Sequence, residues 1–149
     1  MTEAEVSPDG IRLEVRRTIN ATPERLFAAW TDPLQLVAWW GPAGVECVGA
    51  EVDLRVGGAY RIGNLLPDGM TIWIVGTFSA IDRPRLLVYS WLIEKMQGVA
   101  ETVTVRFEAR GAETEVIVTH EKIPNQAQKD QHADGWKGCL NGLVEYTTA

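Results

Sequence analysis

Apolar and polar positions alternate early in the chain. Ile11, Leu13, Val15 and Ile19 fall on odd positions, with Arg12, Glu14, Arg16 and Asn20 on even ones. A period of two predicts a strand with one buried face. Arg17 interrupts the apolar set near the strand's end. Two helix-start signals follow, about ten residues apart. Thr22 and Asp32 each precede a proline, Pro23 and Pro33, which is pre-set for the first helical position. They predict short helices over about 23–30 and 33–39, closed by Trp39-Trp40 and a Gly41-Pro42 stop. Six further extended segments are expected, at 45–54, 59–65, 70–80, 86–93, 101–109 and 113–119. Gly57-Gly58, Pro67-Asp68-Gly69, Asp82-Arg83-Pro84 and Arg110-Gly111-Ala112 punctuate them as turns.

The period changes after Pro124-Asn125. Trp136, Cys139, Leu140, Leu143, Val144 and Tyr146 recur at spacings of three and four. This predicts an amphipathic helix over about 125–147. At about 1.5 Å per residue it spans roughly 30 Å. Gly135, Gly138 and Gly142 are poor helix formers, each costing up to about 1 kcal/mol against Ala. Gly138 and Gly142 lie four apart, which predicts close approach of the helix to a sheet. One strand, two short helices, about six strands and one long helix must bury the helix against the sheet's apolar face. The expected class is α+β, a helix-grip arrangement.

The chain has 149 residues, enough for one domain. Residues 1–10 are polar and end in Pro8-Asp9-Gly10, so a flexible tail is expected ahead of a single domain over 11–149. The net charge of −6 argues against nucleic acid, which needs clustered Lys and Arg. Glu3, Glu5 and Asp9 stand where a signal peptide needs positive charge, and no apolar run reaches the roughly 18 residues of a membrane span. A cytoplasmic protein is expected. Cys47 and Cys139 lack CxxC or metal spacing; the two readings are a disulfide between them and two buried thiols, of which the second is expected.

Several segments carry a resemblance when taken in order. They are Ala21-Thr22-Pro23-Glu24-Arg25-Leu26-Phe27, Trp39-Trp40-Gly41-Pro42, Val52-Asp53-Leu54-Arg55-Val56-Gly57-Gly58 and Pro84-Arg85-Leu86-Leu87-Val88-Tyr89-Ser90-Trp91. Val103-Thr104-Val105, Val118-Thr119-His120-Glu121 and Gly135-Trp136 continue the series. Over about 11–147 the chain resembles the single-domain proteins related to the C-terminal domain of the heat-shock-protein-90 ATPase activator. These belong to the START and Bet v allergen-like (SRPBCC) superfamily. The resemblance implies a curved antiparallel sheet of about seven strands around the C-terminal helix, with a cavity between them. Superfamily members hold lipids, sterols, hormones or polyketides there, and a few are cyclases or hydrolases. The co-chaperone's separate N-terminal domain has no room in this chain.

The six tryptophans are Trp30, Trp39, Trp40, Trp73, Trp91 and Trp136. Large indoles serve either core packing or an aromatic pocket. A pocket between the last helix and the sheet is expected to draw on Tyr60, Trp73, Trp91, Phe107, His120 and Trp136, with Trp39 and Trp40 at its mouth. His120 shares parity with Val116 and Val118, so it points inward and is the sole candidate for proton chemistry. The competing reading is a hydrogen-bonded structural histidine. His132 lies in the polar stretch 126–134 and is expected to be solvated. Glu94, Lys95 and Glu101 are read as a solvated loop, and Asp53 with Arg55 as a surface ion pair. Two unspaced histidines predict no metal. Ser79 and Ser90 have no nucleophile elbow, and the glycine pairs open no phosphate-binding helix, so no cofactor is implied.

Three functions stay open. One is binding of a small apolar or amphipathic molecule without turnover. The second is an enzyme of the polyketide cyclase or aromatase kind. The third is a chaperone-linked, stress-response partner-binding domain. A homodimer is also open. The missing convergent catalytic group weighs against the second, and the missing companion domain against the third.

Overall fold

The computed structural model describes residues 10–41, 44–95 and 98–148. Of the expected tail, only Gly10 falls among them, as does Gly41 but not Pro42 of the Gly-Pro stop. The elements are β1 (Ile11–Ile19), α1 (Pro23–Thr31), α2 (Pro33–Trp39), β2 (Glu46–Val52), β3 (Ala59–Leu65), β4 (Thr71–Asp82), β5 (Leu86–Ile93), β6 (Glu101–Arg110), β7 (Glu113–Ile123) and α3 (Gln126–Thr148). The strands form one seven-stranded curved antiparallel sheet in the order β1-β7-β6-β5-β4-β3-β2. The α+β helix-grip expectation is met.

Local chemistry sets these boundaries. Thr22 Oγ1 accepts from the Arg25 N–H at 3.1 Å, and Asp32 Oδ1 accepts from the Leu34 N–H at 3.0 Å, each ahead of its proline. Two orphan donors are thereby satisfied. Asn125 Oδ1 does the same for the Gln128 N–H at the start of α3. β7 runs four residues past the expected Thr119, because its pairing with β1 continues to Ile123.

The inner face of the sheet is read off cross-strand pairs. Phe107 faces Val116, Val105 faces Val118, and Val103 faces His120. Leu87 and Tyr89 continue these rows on β5. Leu140 and Leu143 of α3 are buried against this face with Leu26, Phe27 and Trp30 of α1. Among the described residues no helix is long and apolar enough to cross a membrane.

The close approach at Gly142 is to α2, not to the sheet. A Cβ there would sit 2.6 Å from the Trp39 carbonyl oxygen. Backbone cannot give way as a flexible side chain can. Gly142→Ala is expected to lower stability by about 1–2 kcal/mol through overpacking, although Ala gains about 1 kcal/mol of helix propensity. Urea melts of the variant check this, and a gain in stability would mean that α2 and α3 are not in contact here.

Candidate functional site

A cavity of about 160 Å³ lies between α3 and the inner face of the sheet. Ile72, Ile74 and Trp91 wall it from β4 and β5, and Asn64 and Leu66 from β3 and beyond. Gln131, His132, Gly135, Trp136 and Cys139 close it from α3, and Trp40 and Val45 from the side. Three of the aromatic residues expected at the site therefore meet there: Trp40, Trp91 and Trp136.

The others lie elsewhere. Tyr60 is buried, its hydroxyl donating to the Ser90 carbonyl at 2.7 Å. Phe107 packs edge-on to Phe27 and Trp30 in the core. Trp39 is anchored by its indole N–H on the Ala29 carbonyl at 2.8 Å. Trp73 sits on the opposite face of the sheet. Its neighbours Ile72 and Ile74 take the inward positions, so its own side chain must turn out. There it lies over Gly63 and Gly49, beneath the Arg61 guanidinium at 4.0 Å. Arg61 also holds the Glu94 carboxylate at 2.9 Å, so Glu94 is paired. The Asp53–Arg55 surface pair forms as expected, at 2.9 Å.

Beside the cavity is a polar triad that the sequence reading does not assemble. Glu101, read as a loop residue, is buried as the first residue of β6. His132, read as solvated, is largely buried on α3. Glu101 Oε1 contacts His120 Nε2 at 2.7 Å and His132 Nε2 at 3.0 Å. The two imidazoles stack with centroids 4.5 Å apart, and Trp91 meets both edge-on. The Trp136 indole N–H donates to His120 Nδ1 at 3.0 Å.

This geometry fixes the tautomers. An indole nitrogen can only donate, so His120 Nδ1 carries the lone pair and Nε2 carries the proton. That proton goes to the Glu101 carboxylate. Both nitrogens of His120 are thus occupied, and its side chain is 0% exposed. Two engaged nitrogens are what the structural-histidine reading of His120 expects. Burial drives the His120 pKa below its ordinary value of 6.5, with Glu101 opposing and His132 reinforcing the shift. Burial alone would raise the Glu101 carboxyl, but hydrogen bonds from both histidines outweigh it and hold it below 4.5. His132 also gives its Nε2–H to Glu101. Cys139 is no nucleophile, because burial pushes its thiol up to about 12.

The donor atoms of Glu101, His120 and His132 lie within 4.8 Å of one another, close enough to hold a metal ion. Ligation by His120 Nε2 would move its proton to Nδ1. That N–H would then face the Trp136 N–H, donor against donor. The set is built as a hydrogen-bonded triad.

One buried polar atom belongs to a residue that lines the cavity. Asn64 is 4% exposed, and its Oδ1 is the single buried side-chain N or O without a hydrogen-bond partner among the described residues. Asn64 shares parity with buried Ile62 on β3, which was the sequence signal for its inward position.

The family described as Activator of Hsp90 ATPase homolog 1-like protein matches residues 20–148. No curated protein matches the chain. Among solved structures, a protein from Chromobacterium violaceum is 24% identical, with a TM-score of 0.85 over 93% of this chain and 97% of that one. A protein from Rhodobacter sphaeroides is 26% identical, with a TM-score of 0.77 over 90% of each chain. The AHSA1 protein from Silicibacter pomeroyi is 23% identical, with a TM-score of 0.76 over 90% of this chain and 95% of that one.

Proposed function

This chain belongs to the Activator of Hsp90 ATPase homolog 1-like family, and on that premise we propose that it binds a small apolar or amphipathic molecule in the cavity between α3 and the sheet. The observation that carries this reading is a cavity of about 160 Å³, partly open to solvent, walled by three tryptophans. Ligand sites are mostly apolar hollows with few oriented polar groups.

Gly135 supplies the test. It lines the cavity on α3, and a Cβ built there meets nothing within 4 Å. Gly135→Leu is expected to fill the space and abolish binding. Its melting temperature should not fall, since Leu gains up to about 1 kcal/mol of helix propensity over Gly. Native mass spectrometry of protein taken directly from cells should show an adduct in the wild type and none in the variant. Amide shifts of Trp91 and Gly135 on titration with indole provide the second readout. No adduct together with no shift would overturn the reading.

A chaperone partner and a homodimer are separate proposals, which capture on immobilised Hsp90 and size-exclusion chromatography test. The cavity reading is preferred because the tryptophan-walled cavity is a specific observation in its favour. Turnover of the bound molecule is also a separate proposal. Its acid–base group would be His132, which lines the cavity with its Nε2 tied to Glu101.

A further inference from the structure

We propose that His132 and Glu101 form a proton-transfer dyad in the cavity wall, where His132 takes a proton from a weakly acidic C–H of an apolar bound molecule and Glu101 is its positioning residue. The inference rests on the binding reading above and adds a reaction to it. The cavity is partly open to solvent, so the chemistry of its wall, and not its volume, selects what reacts there. His132 belongs to that wall, with its side chain 15% exposed. Its Nε2 is held by Glu101 Oε1 at 3.0 Å, while Nδ1 has no hydrogen-bond partner among the described residues. Nor is Nδ1 buried, because Asn64 Oδ1 is the single buried side-chain N or O without a partner. His120 differs, since both of its ring nitrogens are engaged within the protein. His132 is therefore the member of the triad that can meet a bound molecule.

Glu101 sets the state of that ring. Hydrogen bonds from both histidines hold its carboxyl below 4.5, so it is ionised at neutral pH. A carboxylate can only accept, so Nε2 carries a proton whether the His132 ring is neutral or charged. The neutral ring then has its lone pair on Nδ1, and the ring that gains a proton there becomes an imidazolium facing the carboxylate. The titratable groups that meet this ring from other elements are Glu101 of β6 and His120 of β7, with Trp91 of β5 against its edge. The stack on His120 and the bond to Glu101 together fix the plane of the ring. Trp91, Trp136, Ile72 and Ile74 offer apolar contact to a flat molecule beside it. The substrate class is an apolar C–H acid that delocalises the resulting charge within itself.

The experiment uses the whole chain and 5-nitrobenzisoxazole, a flat C–H acid of this kind. His132 takes the proton of the isoxazole C–H, and the electron pair of that bond forms a nitrile. The N–O bond breaks, its pair stays on oxygen as a coloured phenolate, and His132 returns its proton to water. The wild type is expected to react about 100-fold faster than an equal concentration of free imidazole, the scale of a positioned general base. His132→Gln keeps a donor to Glu101 and should lose that acceleration. Glu101→Gln keeps an oxygen that can accept from both rings and removes the charge. Its kcat should fall with KM unchanged, and the midpoint of its pH–rate profile should move to lower pH. Amide shifts of Trp91 and Gly135 with 5-nitroindazole, an unreactive analogue of the same outline, report binding and the folded state in all three proteins. Shifts in the wild type without acceleration, or acceleration that survives His132→Gln, would overturn the dyad and leave the binding reading standing. An unmoved midpoint in Glu101→Gln would remove Glu101 from its role. If the wild type shows no shifts, the binding reading fails and the dyad fails with it.

Discussion

Replacing Trp136 with alanine is expected to cost about 3–5 kcal/mol, close to the largest loss available from a single core side chain. Trp136 is 5% exposed and sits where three groups of contacts meet. It stacks on Trp30 at 6.0 Å and 20°, and meets Trp40 edge-on at 5.6 Å and 87°. Its indole N–H also caps His120 Nδ1. Alanine removes the apolar area, opens the wall of an existing cavity and leaves a buried nitrogen without its donor. Trp136→Phe separates these effects. Phenylalanine keeps most of the packing and loses the donor, so the loss should shrink to about 1–3 kcal/mol, the cost of an orphaned buried acceptor. Urea denaturation measures both. Nitrogen chemical shifts of His120 give an independent check, since the indole donor is what confines its proton to Nε2. A loss below about 1 kcal/mol for the alanine variant would contradict the packing of α3.

The contrast between what the sequence discloses and what it hides follows from the range of the interactions. The caps at Thr22 and Asp32 act over three residues, and the alternation of Ile11, Leu13 and Val15 belongs to one strand. The apolar stripe of Trp136, Leu140 and Leu143 belongs to one helix. Each can be read without knowing the partner. The triad is different. Glu101, His120 and His132 come from β6, β7 and α3, and only the β6–β7 register and the packing of α3 bring them together.

Faint local signals existed even there. Glu101 has the parity of Val103, Val105 and Phe107, so it belongs on the inner face. His132 lies four residues before Trp136, on the same side of the helix. A polar flank around each residue suggests solvent, and tertiary burial overrides that suggestion. Trp73 shows the reverse error. Its bulk suggests the interior, but Ile72 and Ile74 hold the inward positions. Gly63 leaves the ring room on the outer face, since a Cβ there would come within 2.7 Å of it.

The triad also dictates how the protein responds to acid. In the folded state His120 lies below its ordinary value of 6.5 and Glu101 below 4.5. For both groups the unfolded chain takes up its proton at a higher pH than the folded chain does. Protonation therefore favours the unfolded state, and stability falls as pH falls. The part due to His120 is complete above about pH 7 and is lost from about pH 6.5 downward. The part due to Glu101 is complete above about pH 5 and is lost as pH falls through its depressed folded value. Each group contributes a slope of at most about 1.4 kcal/mol per pH unit. The first loss has a structural picture. A second proton on His120 must go to Nδ1, where the Trp136 N–H already points.

Glu101→Ala is expected to cost about 3–5 kcal/mol at pH 7.5, because it leaves two buried imidazole N–H groups with no acceptor. It should also abolish the lower acid step. His120→Gln should abolish the upper step while keeping a side chain able to accept from Trp136 and donate to Glu101. Urea melts of the three proteins between pH 8 and pH 4 measure these effects. A wild-type profile flat from pH 7.5 to 5, or an upper step that survives in His120→Gln, would show that His120 is not the group whose protonation loosens the fold.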